Sequence, residues 1–130
     1  MRKCKLKIVT ESDGQVTTFE SAAFFDEEET LDSLRYRVEG DEGLLIIGED
    51  GITMKRRGGV EMIMPFRLNQ QTELLLMSEG GEGKIPLNTT HYRRQKADDK
   101  IRIKLCYELF QADHFQTFSQ DIQIVFSEEK

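Results

Sequence analysis

The 130-residue sequence has no long apolar run; the longest are four residues, as at Leu44–Ile47. A membrane helix needs about 20 apolar residues in a row, so the sequence encodes no membrane-spanning helix. The start MRKCKLKIVTESDG has no apolar stretch and no small-residue cleavage site, and does not read as a secretion signal. The expected compartment is the cytoplasm. Cysteine and histidine are equally sparse: Cys4, Cys106, His91 and His114 are all there are. Structural zinc uses close pairs such as C-x2-C or H-x3-H. With no such pair, no metal or other cofactor is expected. A reducing compartment also argues against a Cys4–Cys106 disulfide, so both thiols are expected to be half-buried and apolar in character. Basic residues number 18 against 24 acidic ones, a net charge of -6. That balance argues against nucleic-acid or anionic-membrane partners, although it is silent on a local basic patch.

What the sequence does have is alternation. Hydrophobic residues are 38% and charged residues 32%, enough for one core under a polar surface, so residues 1–130 are expected to form one domain. KCKLKIV alternates lysine with Cys4, Leu6 and Ile8. IRIKLCYEL sets Ile101, Ile103, Leu105, Tyr107 and Leu109 on one face, and DIQIVF does the same with Ile122, Ile124 and Phe126. A period of two means strands with one buried and one wet face, typical of antiparallel sheets.

Turn signals fall between these runs. They are Asp13-Gly14, Asp50-Gly51, Gly58-Gly59, the Gly80–Gly83 stretch, Asp98-Asp99 and Ala112–His114. FDEEETLDSLRYRV can be read at helical or strand spacing, and loop then strand is the better fit. Pro65 and Pro86 suit strand ends or bulges. The tail from Ser127 reads as a solvated end. The fold class is therefore all-β: a single antiparallel up-and-down barrel of about eight to ten strands, which also removes sheet edges.

Few residues suggest chemistry. SEGGEGK ends in Gly83-Lys84 but continues with Ile85 into an alternating run, so it lacks the Ser/Thr and helix of a phosphate loop; it reads as a hairpin loop. No G-x-S-x-G elbow accompanies the histidines. An enzyme is not the expected reading, and no catalytic residue is assigned. Basic residues cluster at Lys55, Arg56 and Arg57 and again at Arg93, Arg94 and Lys96. By alternation Arg56 shares a face with Ile52 and Met54, and Arg57 with Thr53 and Lys55. Neighbouring arginines therefore point opposite ways: the common reading is a solvated face paired with the many acids, and the sharper one is that one arginine points into the barrel to meet an anionic ligand. Met54, Met62, Met64 and Met77 lie close together, more commonly core than pocket.

Taken together, these segments resemble the YwiB-like family of small bacterial proteins with a calycin-like (lipocalin-like) β-barrel. LRYRVEG is similar to the family's strand with an aromatic-x-x-acid ending, here Tyr36 and Glu39. ITMKRRGGVEMIMPF is similar to its basic-then-glycine hairpin, with Arg57 and Gly58 at the turn and Phe66 closing the next strand. NTT, IRIKLCYEL with Tyr107, and DIQIVF are similar to its closing strands. The chain departs from the pattern at TELLLMS, which has no aromatic. The resemblance implies a fold and brings no activity with it.

Two functions then compete. One is a carrier of a small apolar ligand with an anionic end, held by Tyr36, Met54, Met62, Met64 and Tyr107, with Arg56 or Arg57 meeting the charge. The other is a packed structural or protein-interaction barrel, as a homodimer or with another partner. An eight-strand barrel is compatible with either.

Overall fold

The computed structural model describes residues 1–127; the expected solvated tail lies almost wholly beyond them. Ten strands follow one another: β1 Arg2–Ser12, β2 Gln15–Glu27, β3 Asp32–Val38, β4 Asp41–Ile47, β5 Gly51–Arg57, β6 Glu61–Arg67, β7 Gln71–Ser78, β8 Gly81–Lys96, β9 Lys100–Gln111 and β10 His114–Phe126. Each pairs antiparallel with the next, and β10 pairs with β1 to close the barrel. The segment after Glu27 is loop then strand, with no helix. The odd-to-even hairpins lie at one end, here the upper end, and the even-to-odd turns at the lower.

The alternating residues decide which face is inside. Cys4, Leu6 and Ile8 point inward, as do Ile101, Ile103, Leu105, Tyr107 and Leu109. The inward residues line up across the wall in register, for example Phe25, Leu34, Leu45, Met54 and Met64 on five successive strands. Leu34, Leu45, Ile47, Ile52, Phe66 and Ile103 are wholly buried.

Pro65 sits inside β6 rather than at its end. The β6–β7 ladder stops at Ile63↔Leu75, two residues short of it. A residue without an N–H ends the pairing on that side, and the Thr72 hydroxyl donates to the Pro65 carbonyl instead. Pro86 lies within the β7–β8 ladder opposite Glu73, so the strand-end expectation fails for it too.

The lower end is covered by β8. Its first half pairs with β7 as far as Gln71↔Asn88; beyond Thr89, which bridges to Leu68, it pairs with β9. A register shift between Thr89 and His91 redirects it, as a bulge does. The Tyr92 hydroxyl then donates to the Gly48 carbonyl in the β4–β5 turn at 2.8 Å, and Lys96 Nζ meets Asp32 Oδ2 at 2.6 Å. In a ring of ten, β3 is five strands from β8 in either direction. The Lys96–Asp32 contact therefore spans the lower opening.

Three upper hairpins turn through paired residues with positive φ: Asp13-Gly14 (52° and 77°), Glu39-Gly40 (49° and 83°) and Ala112-Asp113 (51° and 66°). This backbone matches strand twist. The last pair has no glycine, and left-handed backbone costs about 1–2 kcal/mol for an ordinary residue. Asp113→Gly, with Ala112→Asn, is expected to stabilise the fold by about 1 kcal/mol, read as a higher urea midpoint. An unchanged midpoint would mean the turn carries no such strain.

The two cysteines face opposite sides of the wall. Cys4 is buried in the lumen and Cys106, in phase with Arg102 and Lys104, faces out. No disulfide joins them. Burial pushes the Cys4 thiol up to about 11, so it remains protonated and unreactive at pH 8. Iodoacetamide at that pH is expected to alkylate Cys106 and to reach Cys4 only on unfolding, as peptide mass mapping would show.

Candidate functional site

At the upper mouth polar side chains point inward beside aromatic ones. Tyr36, Gly43, Arg56 and Met62 stand side by side on β3, β4, β5 and β6. Gly43 has a steric role here. A Cβ at this position would lie 2.4 Å from Cζ of Tyr36, so the phenol ring occupies the space a side chain would take. The ring also lies 5.7 Å from that of Phe19 on β2. Desolvation raises the Tyr36 pKa, and the Arg56 charge opposes that rise.

Arg56 is the arginine that points in; its neighbour Arg57 points out and is 82% exposed. The two arginines do point opposite ways, and strand alternation excludes Arg57 from the lumen. The guanidinium does not stand free. Its Nε donates to Asp41 Oδ2 at 2.8 Å, and Nη2 reaches Glu39 Oε2 at 3.4 Å. Asp41 is also held by the Gly59 N–H at 3.2 Å. Gly58 must be glycine, because a Cβ there would strike the same carboxylate. One ion pair thus ties the β3–β4 and β5–β6 hairpins together.

These bonds hold the Asp41 carboxyl below the usual range, first through the Arg56 hydrogen bond and then through Gly59. A depressed folded-state pKa gives stability that is complete above the ordinary aspartate value of about 3.9 and is lost as pH falls through the lowered one. Asp41→Asn is therefore expected to flatten the stability profile below about pH 4. Urea melts at pH 3 and pH 6 measure this. Equal slopes in both proteins would remove the pair from the acid response.

The other residues of the expected ligand site are not gathered at the mouth. Met54 and Met64 face each other across β5 and β6, one row lower, and both are buried. Tyr107 belongs to a different row, with Thr89 and Phe118. Its ring stacks on Phe118 at 5.1 Å and meets Phe66 at 4.7 Å. Phe66 is on β6 and Tyr107 on β9, three strands round the ring, so these two rings bridge the lumen. The thiol, phenol and aliphatic residues read from the sequence as inward are inward.

The two basic clusters also stay apart. Arg56 and Arg57 are at an upper hairpin, whereas Lys96 closes the lower end. His91 sits outward at the β8 bulge, opposite Cys106, with its Nδ1 3.3 Å from the Thr90 hydroxyl. Among the described residues no group of His, Cys, Asp and Glu could hold a metal. Sequence reading overlooked Asp41, although DEGLLII places it in phase with Gly43, Leu45 and Ile47.

A closed ten-stranded meander with this register can be compared with known proteins. Residues 3–124 match the family described as Domain of unknown function (DUF1934). The chain belongs to this family. The fold matches the crystal structure of ywiB protein from Bacillus subtilis, with a TM-score of 0.81 and 20% identity over 97% of this chain and 91% of that one. At that identity the likeness shows the fold, in agreement with the resemblance read from LRYRVEG and the RRGG hairpin. No curated protein matches the sequence. The DUF1934 barrel here has no helix long and apolar enough to cross a membrane among its described residues.

Proposed function

We propose that this chain is a protein-interaction barrel whose lumen is filled by its own side chains. The observation that supports this most is the Phe66–Tyr107 contact across the interior. Below it the lumen is lined mainly by buried aliphatic side chains, and β8 covers the lower end, where Lys96 meets the buried Asp32. An open groove of ≈ 460 Å³ lies on the outer wall instead, beside Phe24 and Ala22. Function on such a scaffold belongs to its surface. The charged outer strands suit an aqueous setting such as the cytoplasm, since lipid-facing barrels present an apolar band.

The carrier reading has one observation in its favour: Arg56 and Tyr36 do point inward at the mouth beside Met62. Against it, the Arg56 charge is already matched by Asp41. An anionic ligand would have to displace a carboxylate that the Gly59 N–H also holds. Native mass spectrometry of the protein from its own host separates the two. The interaction reading expects the bare chain or an assembly of chains. A small-molecule mass released on denaturation would overturn it in favour of a carrier.

A further inference from the structure

The acidic net charge conceals a basic wall. The outward residues of the barrel also line up in rows. One row runs Lys3, Phe24, Arg35, Leu44 and Lys55 across β1 to β5. The next runs Lys100, Val125, Lys5 and Ala22 across β9, β10, β1 and β2. It continues on β3 to β5 as Arg37, Glu42 and Arg57. Glu42 is the one acidic residue in these two rows against seven basic ones, on a chain of net charge -6. The compensating acids are concentrated at the barrel ends, as in Glu27–Glu29, Glu49-Asp50 and Asp98-Asp99.

This wall also has apolar relief. Phe24 is 44% exposed, although it sits mid-sheet between Lys3 and Arg35. The ≈ 460 Å³ groove lies beside it, lined by Met1, Ala22, Phe24, Arg35, Tyr36, Arg37 and Glu42. Its lining sets Ala22 and Phe24 beside the cations Arg35 and Arg37, with Glu42 as its one acid. Asp26 reaches Arg35 at 3.6 Å, and Glu20 reaches Lys7 at 3.9 Å, both at the margins.

We propose that this wall docks an acidic segment of a partner protein, with carboxylates over Lys3, Lys5, Arg35 and Arg37 and an apolar side chain in the groove beside Phe24. This rests on the interaction reading and names its partner chemistry. Charge complementarity selects an anionic occupant. The groove selects a peptide over a nucleic acid. Single-stranded nucleic acid binds by stacking successive bases on several aromatics, and this wall has one, with Glu42 set among its cations. Phe110 and Phe115, the other exposed phenylalanine pair, lie together at the β9–β10 hairpin.

Fluorescence anisotropy on the intact chain tests this. The probes are a labelled peptide of Glu-Glu-Phe repeats, the same peptide with Ser for Phe, and a single-stranded RNA of similar length. The first is expected to bind best, and more weakly as salt rises. Lys5→Glu combined with Arg37→Glu is expected to weaken it about tenfold or more. Phe24→Ser is expected to erase the preference for Phe over Ser. These three side chains are exposed, and an unchanged thermal melt would show the variants folded. Tighter binding of the RNA, binding untouched by the charge reversals, or no saturable binding of the Glu-Glu-Phe peptide would each overturn the proposal. Sedimentation tells this failure from that of the parent reading. Self-association that survives the charge reversals would leave an interaction barrel with its contact elsewhere, whereas a bound small molecule in native mass spectrometry would remove the interaction reading itself.

Discussion

Phe66→Ala is expected to cost about 3–5 kcal/mol of folding free energy. Phe66 is wholly buried on β6, paired with Ile52 on one side and touching the Tyr107 ring at 4.7 Å on the other. Removing the ring deletes its transfer free energy and leaves a void in the middle of the lumen. The wall cannot collapse into that void, because its radius is fixed by ten hydrogen-bonded strands. The expected shift of the urea midpoint is on the order of 2 M, at a slope of about 1–3 kcal/mol per molar. The same variant probes function. A dry apolar void of ring size takes up benzene or xenon, and the mutant should bind such a probe where the natural chain does not. A cost below about 1 kcal/mol would mean that Phe66 already borders empty space, and the carrier reading would gain. Ile103→Ala, on β9 and equally buried, should cost about 2–5 kcal/mol.

These effects fall at residues whose inward orientation was legible from alternation alone. IRIKLCYEL and DIQIVF have one possible phase, because the opposite phase would bury Arg102 and Lys104 or Gln123 and expose Ile101, Ile103, Leu105 and Leu109 or Ile122 and Ile124. The Asp13-Gly14 and Gly58-Gly59 turns were legible for a local reason too, since their backbone needs residues that tolerate positive φ or close approach. What alternation does not contain is the pairing of distant strands. Nothing in the residues near Lys96 says that it will meet Asp32, because that contact depends on how far β8 overruns β7 and where its bulge turns it. The mouth was half legible. Phase placed Tyr36, Arg56 and Met62 on the inner face, but only the register brings Asp41 to Arg56 and folds Tyr36 over Gly43. The basic wall was legible in pieces, as the wet lysines of KCKLK, and not as a surface. Net charge averages over the barrel ends and the wall, so it hid their separation.

Lys96→Met is expected to cost about 2–4 kcal/mol. Asp32 is among the few charged residues buried here, with its side chain 3% exposed and its Oδ2 2.6 Å from Lys96 Nζ. Lys96 is itself 39% exposed, so the ammonium loses little hydration and the carboxylate loses nearly all of it. The pair is therefore lopsided. Removing the lysine strands a buried anion, whereas removing the anion leaves a lysine that can turn to water. Asp32→Asn is expected to cost less, about 1–2 kcal/mol, and the double variant should recover most of what Lys96→Met loses. A double-mutant cycle in urea would return a coupling of about 1–3 kcal/mol. Independent, additive losses would show that the contact is incidental. Strong coupling would show that the end of β8 is held across the lower opening by charge as well as by the Tyr92–Gly48 hydrogen bond. That matters for function, because an end closed by two separate tethers does not open to admit a ligand from below. The upper mouth, with its own Arg56–Asp41 tie, and the outer wall would then be the only routes left for recognition.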